Sequence, residues 1–491
     1  MRVCPQSVGI IHFVGIGGIG MSGIAEVLHS LNYSVRGSDL TENANVQRLK
    51  KLGIPVFIGH QSHQVDDAAL VVVSSDIKSD NVELQQARIL SLPIVRRAEM
   101  LAELMRLKPS IAVAGTHGKT STTSLGATVL EAGGLDPTVV SGGIINAYGT
   151  NARLGSGEWI IVEADESDGT FTKLPATHAI VTNIDPEHMS HYGSFSALKD
   201  AFHSFLSNIP FYGLGIVCID HPEIRAMLPR LTDRRVVTYG FSQDADIKAE
   251  NIEFNASGSQ FDVCISERFL TICKNAVRIN HLSRIRLSMF GEHNVQNALS
   301  ILALALELGI DPMAIHKGFA SFKGVKRRFT KTGEVNGITI IDDYAHHPVE
   351  IEVVLKTARQ VSQGKIIAVL QPHRYSRLKE LYESFCSCFK EADHVIVAPI
   401  YAAGEEPIIG LHHEQLASDI RKHNHTNVVT IQEREELAST IMTLGHSGDM
   451  VVCLGAGSIS AWAQALPEEL KQWDKLDNSN DVLTKRGEIN G

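Results

Sequence analysis

One stretch of sequence, Gly115-Thr116-His117-Gly118-Lys119-Thr120, decides the fold that we expect for this chain. It follows a short apolar run at residues 111–114, which is typical of a buried parallel strand. It precedes small and apolar residues at 121–130, which predict a helix that ends at Gly133-Gly134. A strand, a glycine loop with Lys-Thr and a helix are the layout of a phosphate-binding loop.

The residues of this loop suit phosphate chemistry. Backbone N–H groups turned inward can bind phosphate oxygens, Lys119 adds a positive charge, and the Thr120 hydroxyl can ligate Mg²⁺. The loop is shorter than the standard G-x-x-x-x-G-K-[ST], because only two residues separate Gly115 from Gly118. The alternative is an ordinary strand-to-helix turn, although packing alone does not explain Lys-Thr at this position.

Length and composition limit the class of protein. The chain has 491 residues, too many for one hydrophobic core, so we expect two to four domains. Its 44% hydrophobic and 20% charged residues are typical of a soluble globular protein. The formal net charge of −10 argues against general nucleic-acid binding. No apolar run reaches the ~18–20 residues that are needed to span a bilayer. The first residues do not show the pattern of a signal peptide. We therefore expect a cytoplasmic protein.

A second glycine motif lies near the N-terminus. Gly15, Gly17 and Gly20 match G-x-G-x-x-G between a predicted strand at 8–14 and a predicted helix, and Asp39 follows about twenty residues later. On spacing alone this predicts a Rossmann-type dinucleotide site with Asp39 on a ribose hydroxyl. The same turn binds any pyrophosphate at a helix N-terminus, so the ligand stays open. Ser74, after a predicted strand at 70–73, suits either a ligand crevice or a helix cap.

Acidic and imidazole side chains follow two predicted strands, 160–162 and 179–182. Glu163, Asp165 and Glu166 follow the first strand, and Glu187 and His188 follow the second. If the sheet is parallel, both strand ends lie beside the phosphate loop. A carboxylate and an imidazole next to Thr120 then suit a divalent cation. The alternative is a solvated acidic loop with helix caps. This alternative has more weight for Asp165 alone than for the group as a whole.

The rest of the chain predicts further structure around these loops. Alternating residues at 246–287 predict a small antiparallel patch, and His293 and Asn294 begin a long apolar helix, where they can cap it or read a base edge. Beyond residue 326, short strands alternate with helices and predict a second doubly wound unit. In it, Arg374 and Arg377 can form a fork for a carboxylate. From Leu466 onward we expect a loosely ordered tail.

These observations predict an α/β protein of three domains. They are a Rossmann-like N-terminal domain at 1–108, a central P-loop-type ATPase α/β domain with a small antiparallel patch at 109–325, and a Rossmann-like C-terminal α/β domain at 326–491. A diphosphate loop, an ATP-type loop with metal ligands and an arginine-rich pocket on three domains suit a ligation. In such a reaction ATP activates one substrate and a second substrate attacks it.

Together the motifs resemble those of the Mur ligases, the ATP-dependent amide-forming ligases of bacterial cell-wall synthesis. The resemblance extends over nearly the whole chain, in the domain order of that family. The strings that carry it are GIGGIGMSGIA (15–25), GTHGKTSTT (115–123), VEADESD (162–168), TNIDPEHMSHY (182–192), GEHNVQNA (291–298), GVKRRF (324–329), DDYAHHP (342–348) and QPHRYSR (371–377).

The resemblance implies an activity. It implies an ATP- and Mg²⁺-dependent ligase that joins L-alanine to the carboxylate of UDP-N-acetylmuramate through an acyl phosphate, releasing ADP and phosphate. This step belongs to peptidoglycan precursor synthesis, and hence to cell-wall biogenesis, cell shape and cell division. It implies no nucleic-acid or membrane partner, and it is compatible with a monomer or a dimer.

The resemblance also implies roles for individual residues. The UDP substrate would contact Gly17, Gly18, Ile19, Gly20, Ser38, Asp39 and Ser74. ATP would contact Gly115, Thr116, His117, Gly118, Lys119, Thr120, Ser121, His293, Asn294, Arg328 and Asp343. The metal would bind Thr120, Glu163 and His188, with Glu166 as the alternative carboxylate. L-alanine would contact Tyr344, His346, His347, Arg374 and Arg377.

Four residues would act in catalysis, Lys119, His188, Arg328 and His347. For His347, assistance in deprotonating the amine and a purely positional role both stay open. One position departs from the family pattern, because Ser190 stands where an aspartate is usual.

Other functions also fit parts of the sequence. A sister ligase could add a whole peptide to UDP-N-acetylmuramate in wall recycling, although GIGGIGMSG favours the alanine-adding enzyme. A folate ligase would lack the first domain. An NAD-dependent dehydrogenase would explain the first glycine motif and leave the phosphate loop unexplained. A regulatory nucleotide-binding module would not need the set Lys119, Thr120, Glu163 and His188.

Overall fold

The computed structural model describes residues 8–74, 76–255, 258–423 and 427–487. The strands of these residues form three sheets, of five, ten and six strands. The described helices include none that is both long and apolar enough to cross a membrane.

The first sheet is wholly parallel and has the strand order β3-β2-β1-β4-β5. Its elements are β1 (Ile10–Val14), α1 (Ile19–Ser30), β2 (Val35–Asp39), α2 (Ala44–Lys51), β3 (Val56–Ile58), β4 (Ala68–Val73), α3 (Val82–Ile89), β5 (Ile94–Arg96) and α4 (Arg97–Met105). The order reverses at β1, and the first glycine loop follows that strand. This is the crevice where open α/β sheets bind ligands, and it matches the Rossmann-like prediction.

The second sheet has the order β15-β14-β13-β12-β11-β10-β6-β9-β7-β8. Its strands are β6 (Ser110–Ala114), β7 (Thr138–Ile145), β8 (Thr150–Arg153), β9 (Ile160–Glu163), β10 (His178–Val181), β11 (Leu214–Cys218), β12 (Val236–Gly240), β13 (Ile247–Asn255), β14 (Gly258–Ile265) and β15 (His281–Leu287). The helices packed along this part of the chain are α5 (Lys119–Ala132), α6 (Met189–Tyr192), α7 (Phe195–Ser207), α8 (Pro222–Met227), α9 (Glu267–Ile272), α10 (Glu292–Glu307) and α11 (Pro312–Ser321).

Strand β6 lies between β9 and β10 and is parallel to both. The segments that follow these three strands therefore meet at one edge of the sheet, as the sequence predicted. Strands β14 and β15 are antiparallel and extend one end of the central sheet, which agrees with the antiparallel patch predicted for this domain.

The third sheet has the order β16-β17-β21-β18-β19-β20, and β16 is antiparallel to β17. Its elements are β16 (Thr330–Val335), β17 (Ile338–Asp343), α12 (Pro348–Val361), β18 (Ile366–Leu370), α13 (Tyr375–Glu380), α14 (Tyr382–Ser387), β19 (His394–Val397), α15 (His413–Lys422), β20 (Val428–Thr430), α16 (Glu436–Leu444), β21 (Met450–Leu454) and α17 (Ile459–Gly487). Strands β17 to β21 are parallel, as expected for a doubly wound unit.

The chain divides into two compact units. Nearly all of the first two sheets belongs to one unit, which extends to Val325. The third sheet belongs to the other unit, which consists mainly of the residues from Lys326 onward and also includes Phe254, Asn255 and Phe290–Glu292. The limits of the three domains drawn from the sequence stay predictions.

The C-terminal segment differs from the sequence prediction. A loosely ordered tail was expected from Leu466, but α17 continues through this residue to Gly487. Leu466 and Leu470 are fully buried in the same cluster as Ile459 and Ala463. These spacings of three and four residues place apolar side chains on one helix face, a short pattern that the polar residues between them obscured.

We predict that Leu470→Ala lowers the free energy of unfolding by about 2–5 kcal/mol, because it leaves a cavity where a fully buried side chain packed. The neighbouring exposed residue provides the control, and Lys471→Ala should change stability by less than about 0.5 kcal/mol. Denaturant unfolding followed by circular dichroism measures both. Equal stability of the two variants would contradict the packing of α17.

Candidate active site

The phosphate loop requires glycine at its first and fourth positions. Gly115 has a φ of +135°, and a carbon added to it would lie 2.0 Å from Oγ1 of Thr182. Gly118 has a φ of +84° and occupies the position before α5, where a left-handed backbone favours glycine. The loop conformation thus depends on these two residues.

Side chains that follow β10 hold the phosphate loop in place. The backbone N–H of His117 donates to Oδ1 of Asn183 over 2.7 Å, and the hydroxyl of Thr182 donates to the carbonyl of His117 over 2.6 Å. The backbone N–H of Asp185 donates to Oγ1 of Thr116 over 2.9 Å. The loop is therefore fixed before any ligand contacts it, which reduces the ordering cost of binding.

The ammonium of Lys119 joins the phosphate loop to residues 163–166 at the end of β9, which we call the acidic segment. Its Nζ donates to the carbonyls of Gly115 and Thr116 over 2.6 and 3.0 Å, and it lies 2.8 Å from Oε2 of Glu166. Burial alone would lower the pKa of Lys119, but the neighbouring carboxylates, Glu166 foremost, outweigh it and hold the pKa above its ordinary value. The side chain is a fixed positive charge at the mouth of the loop.

Glu163 contacts Thr120, the residue of the phosphate loop that follows Lys119. The Thr120 hydroxyl donates to Oε1 of Glu163 over 3.1 Å, and the backbone N–H of Gly142 donates to its Oε2 over 2.6 Å. Burial raises the pKa of Glu163, and the charge of Lys119 opposes this shift. The predicted ligands Thr120 and Glu163 thus lie together.

His188 lies with two different carboxylates. Among the described residues, Glu166, Glu187 and His188 form the one group of three acidic, histidine or cysteine side chains whose ligand atoms all lie within 4.8 Å. Burial would lower the pKa of His188, but its hydrogen bond with Glu166 and the charge of Glu187 raise it overall. Two carboxylates and an imidazole fit a divalent cation.

The predicted metal ligands are therefore divided between two clusters beside Lys119. Glu166, the alternative carboxylate, is the partner of His188, and Glu187 was not among the predicted ligands. The signal in the sequence is the acidic residue Glu187 directly before His188 at the end of a predicted strand. The side chain of Ser190 lies outside the described part of the chain.

The start of α10 adjoins the phosphate loop. A carbon added to Gly118 would lie 3.0 Å from Nδ2 of Asn297, one turn into this helix. Asn294 is buried and His293 is half-buried, at the N-terminal turn of the same helix. The predicted adenine contacts therefore belong to an element that touches the loop.

The first glycine loop is organised by Asp39. The Gly17 N–H donates to Oδ2 of Asp39 over 2.8 Å, and Nδ2 of Asn45 donates to the carbonyl of Gly17 over 2.9 Å. A carbon added to Gly17 would lie 2.7 Å from atoms of Asn43 and Val46. Asp39, predicted to bind the substrate, is engaged with the loop itself in this structure.

Ser38 likewise contacts protein groups. Its hydroxyl donates to Glu83 over 2.8 Å and lies 3.0 Å from Nδ1 of His60, while Nε2 of His12 lies 2.9 Å from the same carboxylate. Glu83 and His12 are fully buried. This cluster was not predicted, because its members come from four separate segments of the sequence.

A cavity of about 200 Å³ connects the first glycine loop with the acidic segment. Its lining includes Gly18, Ile19, Gly20 and Ser74, all predicted substrate contacts, together with Glu163, Asp165 and Arg97. Arg97, which sequence reasoning missed, is the first residue of α4.

In the C-terminal unit, Asp343 holds two backbone segments. Its carboxylate accepts from the N–H groups of Phe329 and Ala345, each over 2.7 Å. Burial raises the pKa of Asp343 to about 6. The guanidinium groups of Arg327 and Arg328 lie 4.6 and 5.3 Å from the centre of the Tyr344 ring. The loops of residues 324–329 and 342–348 are thus bound to each other.

Aromatic and imidazole rings line the predicted amino-acid pocket. The ring of His346 lies 5.0 Å from Tyr344 and 6.0 Å from His373, which stacks on Tyr401 at 5.6 Å. Burial lowers the pKa of His346 to about 3 and that of His373 to about 4. Both rings are therefore neutral near pH 7, and neither His373 nor Tyr401 was predicted.

The two predicted arginines differ in their contacts. Nη1 of Arg377 donates to Nδ1 of His373 over 3.1 Å. Arg374 has a φ of +70° just before α13, a backbone conformation that is strained for a non-glycine residue. His347 caps α12 through its Nδ1, which accepts from the N–H of Val349 over 3.3 Å, and this contact supports a positional role.

Three family descriptions match the chain in sequence. Residues 10–109 match "Mur ligase family, catalytic domain", residues 113–305 match "Mur ligase middle domain", and residues 327–457 match "Mur ligase, glutamate ligase domain". The chain belongs to the Mur ligase family. The first and third sheets of this Mur ligase fall within the first and third matched segments, and the second sheet falls within the second segment except for the first three residues of β6.

Curated relatives of this Mur ligase are similar over almost their whole length. A UDP-N-acetylmuramate–L-alanine ligase of Rhodospirillum rubrum is 57% identical over 96% of this chain and 97% of its own. An enzyme of the same name from Rhodospirillum centenum is 58% identical over 99% of this chain and 100% of its own.

Solved structures share its fold. The UDP-N-acetylmuramate–alanine ligase of Thermotoga maritima has a TM-score of 0.79 and 28% identity, covering 94% of this chain and 99% of its own. A murein peptide ligase of Psychrobacter arcticus has a TM-score of 0.68 at 24% identity, covering 94% of this chain and 98% of its own. The latter shows likeness of fold alone.

We predict that Gly115→Ala weakens ADP binding to this Mur ligase at least about tenfold, because the added methyl collides with Thr182 and the φ of +135° is strained for alanine. Gly18→Ala is the control, since Gly18 has a φ of −59° and an added carbon meets its nearest atom at 3.4 Å. Titration calorimetry measures both. Wild-type affinity in Gly115→Ala would contradict the loop geometry.

We predict that His346→Gln reduces the acid sensitivity of the fold. Because the folded pKa of His346 is about 3, below the value of about 6.5 in the unfolded chain, acidification from pH 6.5 towards 4 protonates the unfolded state first and destabilises the native state. The stability difference between variant and wild type should shift in favour of the variant across this window. The control is His446→Gln at an exposed position, and its stability relative to wild type should not change across this pH range. Thermal melts measure both variants. The same pH dependence in His346→Gln and His446→Gln would contradict the lowered pKa of His346.

Proposed function

We propose that this chain joins L-alanine to the carboxylate of UDP-N-acetylmuramate in an ATP-dependent reaction of peptidoglycan precursor synthesis. The main support is 55–58% identity, over nearly the whole chain, to relatives that carry that activity in their names. The site geometry agrees with it, because one acidic segment contacts both the phosphate loop and the cavity beside the first glycine loop.

ATP binds at the phosphate loop in this proposal. Lys119 and the N–H groups of residues 115–121 hold the phosphates, and Arg328 adds positive charge. His293 and Asn294 contact the adenine and Asp343 the ribose. Lys119 and Arg328 stabilise the charge that develops as the γ-phosphoryl group transfers to the muramate carboxylate. The acyl phosphate formed there is attacked by the amine of L-alanine, which releases phosphate.

Two groups of side chains beside Lys119 have donor atoms that suit Mg²⁺. Thr120 and Glu163 would hold one ion, and His188 with Glu166 and Glu187 would hold a second. When bound, the metal neutralises phosphate charge and orients the phosphoryl group. The oxygen donors among these side chains suit a hard cation, which supports this assignment.

The two other substrates contact separate regions. UDP-N-acetylmuramate binds along Gly17, Gly18, Ile19 and Gly20 and in the cavity that includes Ser74, while Ser38 and Asp39 support the loop. L-alanine binds in the C-terminal unit, where Arg374 and Arg377 grip its carboxylate. Tyr344, His346 and His347 shape that pocket, and the cap made by His347 favours positioning over proton transfer.

The proposal extends to location and domain limits. Its substrates, ATP and a UDP-linked sugar, are metabolites of the cytoplasm, so we propose that the enzyme acts there. We also keep the domain boundaries at residues 108/109 and 325/326. The first lies at the C-terminal end of the first matched family segment, and the second lies between the second and third segments.

Addition of a whole peptide is the nearest alternative. The fold is shared with a murein peptide ligase, so architecture does not separate the two reactions. The names of relatives at 55–58% identity favour L-alanine over a peptide. The other classes are disfavoured, because a dehydrogenase or a binding module would not need Lys119 and Glu163 at the phosphate loop.

The test is phosphate release from ATP and Mg²⁺ with UDP-N-acetylmuramate, with and without L-alanine. We expect release only when all substrates are present, and Lys119→Ala should lower the rate at least about 100-fold. Removal of Mg²⁺ with a chelator should abolish the reaction. Release with a tripeptide in place of L-alanine would move the proposal to the sister ligase, and no release with any combination would overturn it.

A further inference from the structure

Arg97 lines the cavity described above, which is bordered by the first glycine loop and by the acidic segment. Its Nη2 donates to Oδ2 of Asp165 over 2.9 Å. On its other side it packs against the first glycine loop, because a carbon added to Gly20 would lie 3.1 Å from both Cδ and Nη1 of Arg97. The guanidinium therefore touches a predicted diphosphate-binding glycine and an acidic residue of the ATP side at once.

The charges that line this cavity are unbalanced. Three of the lining residues are acidic, Asp76, Glu163 and Asp165, and Arg97 is the single basic residue among them. Arg97 is therefore the side chain of this lining whose charge attracts a diphosphate, whereas the three carboxylates repel it. The Arg97 side chain is 17% exposed and that of Asp165 is 38% exposed, so the pair borders the open space.

Asp165 belongs to a segment whose carboxylates reach three different partners. Glu163 contacts Thr120, Asp165 contacts Arg97, and Glu166 contacts Lys119 and His188. The backbone N–H of Ser167 donates to Oδ1 of Asp165 over 3.0 Å, which fixes the turn between these side chains. The residue that contacts Arg97 therefore lies in the same short segment as the residues that contact the phosphate loop.

We propose that Arg97 contacts the diphosphate of the UDP substrate and that Asp165 positions it for this contact. A planar guanidinium suits a bidentate bond to phosphate oxygens while another of its edges stays on a carboxylate. The pair also links substrate binding at the first glycine loop to the acidic segment beside ATP. This inference rests on the proposed function, because it takes UDP-N-acetylmuramate as the ligand.

The experiment measures binding of UDP-N-acetylmuramate and of ADP by titration calorimetry, without turnover. Arg97→Ala should weaken UDP-N-acetylmuramate binding at least tenfold and leave ADP binding within twofold of wild type. Arg97→Lys should recover part of the loss. The matched control is Arg96→Ala, which removes the neighbouring, exposed arginine and should leave both affinities unchanged. Retained ADP binding also shows that each variant is folded.

Asp165 requires a separate readout. Asp165→Asn should raise KM for UDP-N-acetylmuramate several-fold with a smaller effect on kcat, and it should have little further effect when Arg97 is already alanine. Additive effects of the two substitutions would overturn the positioning role. Equal affinities of Arg97→Ala and Arg96→Ala would overturn the diphosphate contact.

Failure of the proposed function gives a different result. Wild-type protein that binds ADP but not UDP-N-acetylmuramate would overturn the substrate assignment and this inference together. Wild-type protein that binds both ligands, with Arg97→Ala unaffected, would leave the proposed function in place and overturn the inference alone.

Discussion

The contact of Lys119 with Glu166 is the interaction on which the candidate site depends. A buried ammonium costs several kcal/mol unless its charge and hydrogen bonds are compensated, and here Glu166 and two loop carbonyls compensate it. The same contact fixes the acidic segment after β9 against the loop after β6, and through Glu166 it also places His188. Three loops that follow three parallel strands thereby meet around one compensated charge at one edge of the sheet.

The acidic segment distributes its side chains by a simple rule of local geometry. Glu163 ends the strand and faces the phosphate loop, whereas Asp165 and Glu166, in the turn that follows, face in different directions. A single segment of four residues can therefore serve the phosphate loop, the divalent-cation cluster and the cavity beside the first glycine loop. A turn achieves this because its side chains do not share one face, as they would on a strand or a helix.

Local patterns in the sequence predicted the sheets and both glycine loops, because apolar runs, glycine spacing and strand ends are encoded by neighbouring residues. The pairs that complete the site are not encoded in this way. Arg97 and Asp165 are 68 residues apart, and Ser38 and Glu83 are 45 apart, so only the strand order brings them together. Asp39 was predicted from the motif spacing to contact a ligand, and its partner in the structure is the loop N–H of Gly17. The helix through Leu466 and Leu470 was missed because polar residues masked a short apolar spacing.

The two glycine loops share a design in which side chains organise the backbone. Asp39 accepts from the N–H of Gly17, and Asn45 donates to the carbonyl of the same residue. In the phosphate loop, Asn183 accepts from the N–H of His117, and Thr182 donates to its carbonyl. A loop rich in glycine loses much conformational entropy when it is ordered, and these hydrogen bonds supply that ordering during folding. Ligand binding then has less backbone freedom to remove, which favours affinity for phosphate groups. The residues that matter for phosphate binding therefore include side chains that touch the loop from behind, and a motif of glycines alone does not identify them.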